Sequence, residues 1–202
     1  MKKVLVIGAT GTIGKAICAE LARDCTVIKV GGSSGDYTVD IASTESIVAL
    51  YQQFKDVDAV VCAAARGVVF APLADMTKDD YLKSMQSKQL GQIDLVVQGL
   101  KMLSSHVSYT LTTGLLNWDP IACGSAAGMV NGAIDGFVRA AAIDMPAKQR
   151  INAISPNLLL ESVEKYRDFF PGFSPIPAAV VALAYRKSIM GHQTGQILQV
   201  GW

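Results

Sequence analysis

A chain of 202 residues, half of them hydrophobic, is long enough for one well-buried α/β domain and short for two. Lys and Arg total 18 against 17 Asp and Glu, a formal net charge of +1, and no basic run interleaves with aromatics. That balance argues against nucleic acid or an anionic membrane surface as a partner. Cys18, Cys25, Cys62 and Cys123 show no metal-ligand spacing, so no metal site is expected. The apolar run Val4-Leu5-Val6-Ile7 is too short for a signal-peptide core, and no segment approaches the ~18 apolar residues that span a bilayer. A cytoplasmic protein with buried, reduced thiols is expected.

Val4-Leu5-Val6-Ile7 is mostly β-branched, as in a parallel strand buried on both faces. A helical pattern then covers about 12–23, with Ile13, Ile17 and Leu21 on one face. Strands follow at 26–30 and 37–39, then a helix through Ile47, Leu50 and Phe54. Ala59-Val60-Val61-Cys62 is another buried strand, and a long helix is expected over about 81–103. The rest reads as a strand at 107–113, an Ala- and Gly-rich helix at 125–144, a strand at 150–155, a helix at 178–188 and a last strand at 196–200. Strands alternate with helices throughout, without linker or repeat. The pattern predicts one domain over 1–202, a Rossmann-type, doubly wound parallel sheet in a three-layer αβα arrangement.

Gly8, Gly11 and Gly14 form GxxGxxG where the first strand becomes the first helix. In that context the first glycine permits a tight turn, the second a close approach of backbone to a pyrophosphate, and the third close helix–strand packing. The helix N–H groups and dipole then favour the phosphates, which makes Gly8, Thr10, Gly11, Thr12, Ile13 and Gly14 candidate dinucleotide-binding residues. Asp40 sits between a strand and a helix, where it either accepts a hydrogen bond from an adenine amino group or caps the helix. The second strand ends Val30-Gly31-Gly32-Ser33-Ser34, without the carboxylate that holds the ribose of NAD. The hydroxyls of Thr10, Ser33 and Ser34, with Lys29, suit a 2′-phosphate and favour NADP over NAD.

Together these segments resemble the short-chain dehydrogenase/reductase family over essentially the whole chain. Gly8-Ala9-Thr10-Gly11-Thr12-Ile13-Gly14 resembles its cofactor loop, with spacing closer to its extended and atypical branches than to TGxxxGxG. Val39-Asp40-Ile41 resembles its adenine-binding segment. The stretch Asp58 to Ala65 resembles the one ending NNAG, with Cys62 and Ala63 replacing both Asn, and Arg150 to Pro156 resembles IRVNAVSPG, with Asn157 in place of Gly. Thr194-Gly195-Gln196 resembles the TGQ that opens its last strand. The resemblance implies that Asp40, Ile41, Ala63, Ala64, Asn131, Pro156 and Asn157 contribute to cofactor binding, and that the helix usually joining the second and third strands is deleted.

The family's catalytic Asn, Ser, Tyr and Lys are not all present. Ala127 falls at the Tyr position, Asn131 at the Lys position, Lys88 at the Asn position and Thr113 at the Ser position. Hydride delivery to a carbonyl needs an acid for the developing alkoxide, and proton transfer contributes ~10²–10⁴-fold to rate. Lys88 with a lowered pKa is the candidate replacement and Thr113 the candidate group to orient the substrate oxygen. Alternatively Lys88 is a surface lysine and Thr113 bonds backbone. Tyr109 and Tyr166 are the other phenols to consider, Tyr109 inside a strand.

The segment 158–177 holds Tyr166, Phe169, Phe170 and Phe173, and corresponds to the family's mobile lid. Its aromatics either cover an apolar substrate or simply pack on the body. Small residues along 126–141 suit either close packing within the subunit or, as the resemblance implies, pairing in a homodimer or homotetramer. Two functions follow: an oxidoreductase acting on a small carbonyl or alcohol, or a dinucleotide-binding pseudoenzyme that senses redox state or scaffolds a partner.

Overall fold

The computed structural model describes residues 1–64, 67–146 and 148–202. The N-terminal apolar run is β1 (Lys2–Ile7), and the glycine turn leads into α1 (Thr12–Leu21). β2 (Cys25–Gly31) and the two-residue β3 (Tyr37–Thr38) follow, then α2 (Thr44–Gln53) and β4 (Ala59–Cys62). Next come α3 (Lys78–Ser84), one widened π turn (Met85–Leu90) and α4 (Gly91–Met102). β5 (Ser108–Thr112), α5 (Ser125–Asp144), β6 (Arg150–Pro156), the short α6 (Val163–Tyr166), α7 (Ala178–Met190) and β7 (Ile197–Val200) complete the chain.

All seven strands are parallel, in the order β3-β2-β1-β4-β5-β6-β7. Alternate residues of β1 go to opposite faces. Leu5 and Ile7 join Tyr51, Leu95 and Ile134 beneath α2, α4 and α5, whereas Val4 and Val6 join Ile17, Leu21 and Tyr185 beneath α1 and α7. The chain runs outward from β1 to β3, then returns across β1 to place β4 on its other side. At such a reversal the two connections leave in opposite directions, opening a crevice at the carboxyl ends of the central strands.

Five residues, 32–36, join β2 to β3 without a helix, as the resemblance implied. Several boundaries differ from the pattern-based expectation. α1 stops at Leu21 rather than near 23, and β3 ends before Val39. The long helix starts at Lys78 rather than near 81, because Thr77 and Asp80 form a capping box that recruits a charged first turn. Its apolar stripe begins only later. Ser43 caps α2, its Oγ accepting from the Ser46 N–H at 3.2 Å. Part of the small-residue stripe on α5 serves packing within the chain: Ala126 and Ala127 are buried, and Gly128 lies against the Leu116 carbonyl. Gly136 and Ala140 face outward.

Candidate active site

At the end of β1 the backbone turns at Gly8 with φ +84°, and a Cβ there would stand 2.7 Å from the backbone of Ala63 and Ala64. A Cβ on Gly14 would overlap the Gly8 carbonyl, so Gly14 is the spacer that lets α1 close on the turn. Gly11 is the N-cap of α1, with no side-chain hydrogen bond to the first turn and no acidic residue in it. The N–H groups of that turn are thus left for an outside acceptor.

Above this turn lies a cleft of about 540 Å³. Gly8, Thr10, Gly11, Asp40, Ile41, Ala63 and Ala64 share its walls. Thr12 and Ile13 are in the first turn of α1, and Gly14 sits below it. Ser33 and Ser34 are exposed in the 32–36 loop, with the Ser34 carbonyl against Gly31. Asp40 does not cap α2. Its carboxylate accepts from the Ala42 N–H at 3.0 Å, in a turn that leaves it exposed at the cleft. Ala65, at the end of the stretch compared with NNAG, lies outside the described residues.

Gly31, Gly32 and Ser87 also line this cleft and were not anticipated. The glycine pair ending β2 was a usable signal, since a residue with no side chain leaves room for a ligand. Ser87 carried none, because its place depends on the π turn. Gly91 brings that helix close: a Cβ there would lie 2.7 Å from the Ile41 carbonyl.

A second cavity, of about 530 Å³, opens between the loops after β4 and β5 and the segment after β6. Lys88, Thr113, Gly114, Asn131 and Asn157 contribute to it, and most of its remaining wall is apolar, including Phe70, Leu115, Leu158, Tyr166 and Phe169. Lys88 is not a surface lysine: it is 8% exposed. Its Nζ donates to the Thr113 carbonyl at 3.0 Å and to Asn131 Oδ1 at 2.6 Å. Burial pushes its ammonium down to about 8, against the opposing pull of the Cys62 thiol and the Asp135 carboxylate.

Asn131 is engaged on both atoms of its amide, since Nδ2 donates to the Gly114 carbonyl at 3.1 Å. Thr113 is buried, its hydroxyl making a long 3.4 Å contact to the Ile154 carbonyl. The Asn157 amide donates to the Ser174 and Gly201 carbonyls and accepts from the Leu158 N–H, tying the base of the 158–177 segment to the C-terminus. Pro156, buried, ends β6 opposite Val200.

Part of the 158–177 aromatic set packs on the body and part borders the cavity, Phe170 doing both. Phe170 and Phe173 stack edge-to-face at 5.1 Å and pack on Leu115, Leu116 and Ala127. Tyr166 and Phe169 are partly exposed at the cavity wall. Tyr109 is fully buried in β5 against Gly99, away from either cavity.

Residues 5–190 match the family model described as enoyl-(acyl carrier protein) reductase. None of the curated proteins compared with the chain matches it. The crystal structure of the protein lin1944 from Listeria innocua is 46% identical and superposes with a TM-score of 0.96, over 99% of this chain and 100% of that one. A small-chain dehydrogenase in complex with NADPH is 22% identical, with a TM-score of 0.84 over 98% of this chain and 96% of its own. A short-chain dehydrogenase/reductase from Brucella melitensis, described as a glucose/ribitol dehydrogenase, is 21% identical with a TM-score of 0.80, over 98% of this chain and 94% of its own.

Proposed function

The chain belongs to the short-chain dehydrogenase/reductase family, and from that premise we propose that it is an oxidoreductase that interconverts a small carbonyl compound and its alcohol, using NADP in preference to NAD and Lys88 as proton donor. The glycine turn supports the dinucleotide. Gly11 meets only the Gly8 carbonyl, at 3.4 Å from where a Cβ would be, and the first turn of α1 is uncapped by any side chain. Hydride transfer is the chemistry the dinucleotide supplies when bound. The absence of a carboxylate at the tip of β2, with Ser33, Ser34 and Thr10 nearby, supports NADP. The NADPH-bound small-chain dehydrogenase supports the same cofactor class.

The observation that carries the catalytic role is the pair of hydrogen bonds on Lys88 Nζ. An ammonium has three N–H donors, and two are taken by the Thr113 carbonyl and Asn131 Oδ1. Both acceptors stay satisfied when the amine is neutral, so the third position is the one that gains and loses the proton. Lys88 lies in the wall of the mostly apolar cavity, where a proton donor near neutrality is effective. There the third position donates to the oxygen of a developing alkoxide. The Thr113 hydroxyl, held only by its long contact to Ile154, turns to orient that oxygen. The aromatic wall matches an apolar or aromatic substrate body. A homodimer or homotetramer built on the outward part of α5 completes the reading.

The test is a carbonyl panel followed by nicotinamide absorbance across neutral and alkaline pH, beside equilibrium titration with NADPH and NADH. The expected result is saturable NADPH binding and substrate-dependent oxidation, with Lys88→Met lowering turnover ~10²–10⁴-fold at unchanged NADPH affinity. Unchanged turnover removes Lys88 from the chemistry. Binding without turnover on any carbonyl replaces the enzyme with a dinucleotide-binding pseudoenzyme.

A further inference from the structure

Among the described residues, Lys88 and Asp135 are the two acidic or basic side chains that are buried, at 8% and 2% exposure. They are opposite in charge, and neither has an ion-pair partner within 4.0 Å among the described residues. Asn131 stands between them. Its Oδ1 receives the Lys88 ammonium at 2.6 Å, and Asp135 follows one turn later on the same buried face of α5. The Asp135 carboxylate is held through one oxygen: Oδ2 accepts from Asn117 Nδ2 at 2.7 Å and Trp118 Nε1 at 3.3 Å, while Oδ1 has no hydrogen-bond partner among the described residues.

A lone buried charge is costly, and the attraction of an opposite charge is weakly screened inside a protein. We propose that Asp135 is a positioning residue for the reaction: its buried negative charge, acting past Asn131, sets how firmly Lys88 holds the proton it delivers. Asp135 is not in the cavity wall and touches no reacting atom. Among the described residues, the ionisable groups acting on the Lys88 ammonium are the Cys62 thiol from β4 and Asp135 from α5. Burial drives the thiol up to about 12, so it stays neutral over the working range. Of these two, Asp135 is then the group that supplies a charge. This inference rests on Lys88 being the proton donor, but its physical content, the coupling of the two charges, is measurable without turnover.

The experiment titrates Lys88 in the whole chain by NMR of the lysine Cε resonance, assigned through its loss in Lys88→Met. Asp135→Asn keeps the shape of the side chain and an oxygen for Asn117 and Trp118. It is expected to lower the Lys88 midpoint by a few tenths to about one pH unit. The alkaline fall of carbonyl reduction should move to lower pH by the same amount, with NADPH affinity unchanged. Asp135→Glu, which keeps the charge, should leave the midpoint near wild type. Where Asp135→Asn does not fold, Asp135→Gln, the neutral counterpart of Asp135→Glu that keeps an acceptor oxygen, takes its place. A midpoint unmoved in the folded neutral variant overturns the proposal, as does a shift of equal size in Asp135→Glu, which would assign the effect to packing. If turnover proves independent of Lys88, the catalytic reading fails while the NMR midpoint still decides the coupling.

Discussion

The side-chain amide of Gln92 exchanges two hydrogen bonds with the backbone of Thr112: Nε2 donates to its carbonyl at 2.9 Å and Oε1 accepts from its N–H at 2.8 Å. The β4–β5 ladder runs only to the pair Val61–Thr110, and Gln92 supplies partners just beyond it. It lies one helical turn after Lys88 and fastens the helix to the strand at the residue before Thr113. Gln92→Leu leaves two buried backbone groups unpaired, each costing about 1–3 kcal/mol. We expect a lower denaturation midpoint with an unchanged slope, and weakened turnover because Lys88 and Thr113 are no longer held in register.

Lys88 makes folding sensitive to alkali in a defined direction. Its ammonium titrates near 10.5 when solvated and is pushed down to about 8 by burial in the fold. Below about 8 both states carry the proton and the native state bears the full burial cost. Between the two values the unfolded chain binds more protons than the native one, so this group's contribution to stability rises with pH. The stability of wild type relative to Lys88→Met should increase by about 3 kcal/mol over that interval. Taking the difference cancels the cysteine and tyrosine titrations, and a flat difference would contradict the burial argument.

Gly14 and Gly11 should respond differently to alanine. At Gly14 the methyl overlaps the Gly8 carbonyl, so Gly14→Ala must displace α1 from the turn and lose both stability and NADPH binding. At Gly11, with φ −77°, the methyl meets one atom at 3.4 Å, a normal contact, and the fold should be kept. It would still intrude on the approach of a phosphate. Gly11→Ala is therefore expected to fold with a loss of about 1 kcal/mol, the cost of Ala at an N-cap, while NADPH titration shows weakened association.

Phe169 is 46% exposed and lines the apolar cavity. Phe169→Ala should lower stability by only about 1 kcal/mol, the ring being half-buried. It should raise KM for an apolar carbonyl substrate about 10-fold, the scale of apolar discrimination in a pocket. An unchanged KM would place Phe169 outside the substrate contact.

Much of the framework is legible in the residues themselves. β4 at Ala59–Cys62 and α5 at Ser125–Asp144 lie where apolar runs and small-residue patterning put them, and the short 32–36 connection follows from counting residues between strands. The glycine turn is legible for a related reason: Gly8 answers a positive φ of its own backbone and Gly14 the carbonyl of Gly8, and such demands leave a local signature. The start of α3 was harder, because the Thr77–Asp80 capping box extends the helix beyond its apolar stripe.

The chemistry of the site was decided by the fold. Sequence placed Lys88 and Thr113 at candidate positions without determining whether the lysine was buried. That depended on an amide 43 residues away and a carbonyl 25 residues away. The widened turn that carries Lys88, the clamp from Gln92 to Thr112, and the burial of Asp135 beside Asn131 left no periodic trace either. Periodicity and glycine spacing report which face of an element is buried and where the backbone must bend. Which polar side chains meet across elements, and how far water is excluded from their charges, is set only when the helices settle on the sheet.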